Sequence, residues 1–163
     1  MNWLIDISAI VALLGSALIG GVFFAFSSFI MKALARVPSA EGIAAMQSIN
    51  VVVLNRSFLG AFMGTALISL VLAGFAVSEW GTPPAPWYLG GALLYLVGTF
   101  LVTGLGNVPL NNKLAAVSPG DKAAVEVWEF YLDRWTWLNT VRTVAAVVAA
   151  IMFIVGLMAS VKS

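Results

Sequence analysis

Two arginines stand where a soluble domain would not place them. Arg56 opens an uncharged stretch running from Ser57 to Ser78, and Arg142 lies just before another, Val144 to Val161; asparagines, Asn55 and Asn139, come just ahead of them. A guanidinium presents a planar fork of N–H donors that can hold an oxyanion at two points. An Asn/Arg pair at the end of an apolar segment is therefore a candidate anion-binding arrangement. The same arginines also suit a plainer role, lying along the hydrocarbon with their charge among headgroups. Sequence leaves both readings open.

A second cluster of polar groups is the run Gly106-Asn107-Val108-Pro109-Leu110-Asn111-Asn112. Amides this close to hydrocarbon are costly without partners, and Pro109 is expected to break the helical bonding there. The run reads either as a capped helix end or as a polar collar around a buried ligand. A third cluster is Glu126, Glu129 and Asp133, which share one helical face, with Trp128 and Trp135 on another. Three carboxylates on a face could hold a hard metal, but bundle di-iron sites add histidine, and none exists here. An amphipathic helix lying on a membrane surface is the favoured reading of this segment.

The elements that must position these groups follow from composition. The chain is 61% hydrophobic and only 9% charged, against roughly 25% charged for a soluble domain. A net charge of +1 offers no basic field for a nucleic acid. With no cysteine and no histidine, disulfides, thiolate chemistry and the usual haem, zinc and copper ligands are gone. Catalysis would rest on carboxylates, Arg, Tyr, Asn or an external cofactor.

A spanning helix needs about 20 apolar residues. Four uncharged stretches meet that length: 7–31, 57–78, 87–106 and 144–161. The expected fold is all-α, one integral membrane domain of four transmembrane helices over 1–163. The first span is too long, and lacks the basic flank, for a cleaved signal. The Pro-rich segment 81–86 joins spans two and three as a hairpin flanked by Trp80, Trp87 and Tyr88, an interfacial aromatic belt. The longer connectors carry most of the cations, Lys32, Arg36 and Arg56 near one and Lys113, Lys122, Arg134 and Arg142 near the other, with Lys162 across the membrane. The positive-inside rule puts both connectors in the cytoplasm and both termini outside.

The connectors also resemble each other. Lys32-Ala33-Leu34-Ala35-Arg36-Val37-Pro38 aligns with Lys113-Leu114-Ala115-Ala116-Val117-Ser118-Pro119 once Leu34 is set on Leu114. Each is expected to continue into a short interfacial helix, capped by Ser39 in one and by Ser118, with Asp121, in the other. Spans one and three run the same way, so the pattern is that of a parallel twofold repeat; chance likeness of short helices is the alternative. Gly15, Gly20, Gly21, Gly60 and Gly64 are expected to allow close helix packing.

The run Gly106 to Leu114, followed by Trp135, Trp137, Asn139 and Val141-Arg142-Thr143 entering a last apolar span, resembles the anthrone-oxygenase-like integral membrane family, whose members are mostly bacterial. The resemblance covers nearly the whole chain and implies a bacterial inner-membrane location. It implicates Asn107, Pro109, Asn111, Trp137, Asn139 and Arg142, with Asn55 and Arg56 as a weaker match. The implied activity is oxygenation of an anthrone to an anthraquinone with no evident protein-bound cofactor. Such a reaction can proceed by deprotonation, after which the electron-rich anion meets oxygen; it needs an apolar slot, a base and a cation. Arg142 and Arg56 are candidate cations, the asparagines candidate orienting amides, and Asp133 or Glu129 the candidate base. Two other classes stay open. One is a non-catalytic protein that binds a quinone or lipid or supports a partner; the other is a small transporter working as a homo-oligomer.

Overall fold

The computed structural model describes residues 3–161 and is all-helical, with no strand among them. Five helices account for it: α1 (Trp3–Leu34), α2 (Ser39–Val52), α3 (Arg56–Ser78), α4 (Ala85–Ala115) and α5 (Lys122–Val161). All but α2 are long and apolar enough to cross a membrane. Lys162, the cation weighed for topology, lies outside the described residues.

The bundle is held by small residues on facing stripes. On α1, Ala9, Ala12, Ser16, Ile19, Gly20 and Phe23 are buried, recurring every three or four positions as one helical face must. They meet α5, where Ala145, Ala146, Ala149 and Ala150 are buried. Small side chains let backbones approach, which is how helices gain dispersion energy when lipid supplies no hydrophobic drive. Gly20 belongs to these contacts, against Val147, and Gly15 packs in the same way against Thr65 of α3. Gly21, Gly60 and Gly64 do not, since a Cβ at any of them would meet nothing within 4 Å. Outward-facing Leu14, Leu18, Leu67, Leu70, Ile151 and Ile154 are exposed, an apolar belt suited to lipid. The protein is an integral membrane protein.

Four local features depart from the sequence expectations. Pro109 does not end the third span. A π-helical turn, Thr103–Asn107, precedes it, and the helix continues through Val108–Ala115; a widened turn accommodates the missing N–H without a break. The first span has its own π turn at Phe26–Ile30. The second connector helix is not separate and does not lie on the membrane surface, because α5 runs unbroken for 40 residues. The expected caps also differ: Ser39 is already the first helical residue after Pro38, with no side-chain cap. Ser118 and Pro119 lie in the turn before α5. The hairpin turn is tighter than expected, with Gly81 at φ 108 and Pro86 already in the first turn of α4, a position that tolerates proline.

Helix α2 lies over the connector end of the bundle. Gln47 donates from Nε2 to the carbonyls of Leu114 (2.8 Å) and Val117 (2.9 Å), so it ties α2 to the last turn of α4 and the turn that follows it. Gly42 permits the close approach, since a Cβ there would run into the Trp128 ring and the Leu34 carbonyl.

Candidate functional site

Arg142 is 4% exposed. Its Nη1 donates to Thr103 Oγ1 (3.0 Å) and its Nη2 to Asn139 Oδ1 (2.7 Å), while Nε has no partner. The guanidinium carbon sits 4.0 Å from the centroid of Phe23 and 5.3 Å from that of Trp135, within the range where an aromatic face attracts a cation. Both hydrogen-bond partners are neutral, and among the described residues no carboxylate forms an ion pair with it. An ion in such a place costs several kcal/mol to desolvate unless a counter-charge compensates.

Asn139 holds that guanidinium in place. Its Nδ2 donates to the Phe23 carbonyl and to Ser27 Oγ, both at 2.7 Å, which leaves Oδ1 facing Arg142. Phe23 and Ser27 flank the start of the π turn in α1, so a distortion in one span supplies the acceptors that orient an amide on another. Insertions of this type concentrate at functional sites.

Arg142 is at one side of a cavity of about 340 Å³, the lower part of the range for small-molecule sites. Phe23, Phe26, Phe58 and Trp135 give it aromatic walls. Phe26 meets Trp135 edge-on with centroids 5.6 Å apart, and Trp135 continues a stack through Tyr131 (5.8 Å) to Trp128 (5.7 Å) along α5. Its exposed lining residues, Val51, Leu54, Val108, Asn112 and Ala115, mark the opening between the end of α2 and α4.

The second polar group in the wall is Asn111. Its Oδ1 accepts from Trp135 Nε1 and from Tyr131 Oη, each at 2.8 Å. An indole N–H only donates, so the amide oxygen must face Trp135. The Nδ2 group is left without a protein partner in the cavity wall. Asn50 donates to Tyr131 Oη at 3.4 Å, extending the network to α2.

The residues singled out from sequence therefore divide. Arg142, Asn139 and Asn111 come together. Asn107 is buried beside them, donating from Nδ2 to the Trp135 carbonyl (3.1 Å), with Oδ1 unpartnered; Pro109 is exposed on the outer side of α4. Asn55 and Arg56 are not in the cavity. Asn55 caps α3, accepting at Oδ1 from the backbone N–H of Ser57 and Phe58 at 3.0 Å each, and Arg56 is exposed. Trp137 is 55% exposed beneath Arg134, 4.8 Å from its centroid. Glu129 and Asp133 are exposed and absent from the cavity lining. Among the described residues, no group of three His, Cys, Asp or Glu side chains is placed to hold a metal. Sequence reasoning missed Phe23, Phe26, Thr103 and the α2 residues Gln47 and Asn50, which carry no spacing signal because each comes from a different helix or an apolar run.

A family model described as Anthrone oxygenase matches residues 53–152. The match takes in well over half of the chain, Asn107, Asn111, Asn139 and Arg142 included, and the chain belongs to this family. No curated protein and no solved structure matches the chain.

Proposed function

On that membership, we propose that the cavity beneath α2 takes a flat, electron-rich aromatic of the phenol or polycyclic anthrone class and promotes its oxygenation by O2. The observation that carries this reading is the buried Arg142 guanidinium, which has neutral partners only and faces an aromatic-walled cavity. An anion formed in the cavity would supply the missing counter-charge. Its formation is favoured by the poorly solvated cation beside it, the preorganised electrostatic effect that dominates many active sites.

The benzylic C–H of the substrate gives its proton to water at the cavity mouth, since no carboxylate lines the wall. The carbanion, spread onto its ring oxygen beside Arg142 and the Asn111 amide, passes one electron to O2. The radical pair joins as a C–O bond, and the peroxide anion takes up a proton. Loss of the second benzylic proton with cleavage of the O–O bond then gives the quinone carbonyl and water. One oxygen atom ends in product and one in water, with no external reductant and no protein-bound cofactor.

A second reading is favoured by the same lack of a carboxylate in the wall: a quinone- or lipid-binding membrane protein without turnover. Purified protein is to be incubated with anthrone under ¹⁸O2 and the product analysed by mass spectrometry. Labelled anthraquinone formed faster than in the protein-free control, and slowed in Arg142→Lys, supports oxygenation. Binding of anthrone or anthraquinone without turnover supports the second reading, and failure to bind either overturns oxygenation and leaves only the lipid form of the second reading.

A further inference from the structure

On the outer side of the bundle, away from the cavity, α4 and α5 leave a groove of about 550 Å³. Its length is apolar, with Val97, Leu101, Leu105 and Leu138 among its lining, and one end carries two cations, Lys113 and Arg134. Both are exposed, and among the described residues neither side chain has a hydrogen bond or an ion pair. Neither has a carboxylate three or four residues away on its own helix, where helical salt bridges form. Arg134 is instead laid over the Trp137 ring, which steadies the guanidinium while leaving its N–H fork free. Glu126 lines an adjoining recess that shares Leu110, Lys113 and Phe130 with the groove, and is not itself in the groove lining.

The depth of these cations is also informative. Lys113 and Arg134 stand about two helical turns beyond Gly106 and Arg142, roughly 10–12 Å at the usual rise. With the apolar stretches filling the hydrocarbon core, that distance reaches the headgroup layer. We propose that this groove is a binding site for an anionic phospholipid, its acyl chain along Val97, Leu101 and Leu105 and its phosphate between Lys113 and Arg134. The site lies on the opposite side of α4 from the oxygenation cavity and does not depend on that reading.

The test is native mass spectrometry of the protein released from mixed vesicles of dioleoyl phosphatidylglycerol and dioleoyl phosphatidylcholine in equal amounts. The wild-type protein is expected to retain phosphatidylglycerol over phosphatidylcholine by roughly tenfold or more, from two interfacial cations acting together. K113Q/R134Q should abolish the preference, while K32Q/R36Q, which removes two exposed cations of the other connector, should keep it. Equal retention of the two lipids by the wild type overturns the proposal. So does a preference that survives K113Q/R134Q, or one lost equally in K32Q/R36Q, which would mark a diffuse charge effect. Displacement of the lipid by inorganic phosphate would also overturn it, because the acyl chain would then contribute nothing.

Discussion

Trp135 Nε1 lies 2.8 Å from Asn111 Oδ1, and because indole can only donate, this contact decides which end of the Asn111 amide faces the cavity. Trp135 thus walls the cavity and also sets its polarity, by turning a neighbour's N–H group toward it. Asn111→Asp separates these roles: the acceptor for Trp135 and Tyr131 remains, while the donor to an anionic ligand becomes a second anion. Thermal unfolding in detergent should change little, and anthrone turnover should fall at least tenfold. Unchanged turnover would remove Asn111 from the site.

Arg142→Lys keeps the charge but loses the fork that reaches Thr103 and Asn139 together. Removal of a single oriented donor from a site of developing negative charge costs about 10²–10³ in rate. The expected result is a loss of that order in kcat with insertion intact. A rate within twofold of wild type would mean that Arg142 is only a packing element.

Asn139→Ala strands the Nη2 group of Arg142, for which Asn139 Oδ1 is the acceptor, and removes the donor to the Phe23 carbonyl and to Ser27 Oγ, which keeps its bond to Thr140 Oγ1. A buried polar group left unpaired costs about 1–3 kcal/mol, so the variant should unfold at clearly lower temperature, and Asn139→Gln should not restore it. Stability equal to wild type would show that water replaces the amide.

Of these residues, sequence made Arg142, Asn139, Asn107 and Asn111 legible, because an amide or a guanidinium inside an apolar run is conspicuous. It also singled out Glu129, Asp133 and Trp137, which are exposed and absent from the cavity lining. Their spacing defines a face of α5, and periodicity alone does not say which face turns inward; Tyr131, Trp128 and Trp135 are buried instead. The four spans were visible for the same reason, a run of apolar residues matched to bilayer thickness. The π turns and the unbroken α5 were not, since neither has a compositional marker. The cover provided by α2 depends on Gln47 reaching two carbonyls about 70 positions away, a long-range contact with no local signature.

If the proton goes to water rather than to a side chain, Glu129→Gln and Asp133→Asn should each leave anthrone turnover within about twofold. A large loss in either would return the base to α5.

The glycines offer a test of packing independent of function. A Cβ at Gly15 would overlap the Thr65 hydroxyl, and overpacking costs typically about 1–3 kcal/mol. Gly15→Ala should destabilise the bundle, and Thr65→Ala in the same chain should recover part of the loss. Gly60→Ala, in open space, should be neutral or slightly stabilising through helix propensity. Equal effects at both positions would refute the close contact.

Helix α5, at about 1.5 Å per residue, is a rod of roughly 60 Å that carries Tyr131, Trp135, Asn139 and Arg142 as fixed marks along one ruler. The facing wall of the cavity is assembled from pieces: α1 at its π turn, the end of α2, the start of α3 and the π-distorted stretch of α4. The two sides therefore differ in origin. Any shift among the pieces would reshape the aromatic wall and move Asn111 relative to Arg142, while the spacing of Trp135, Asn139 and Arg142 along the rod stays constant.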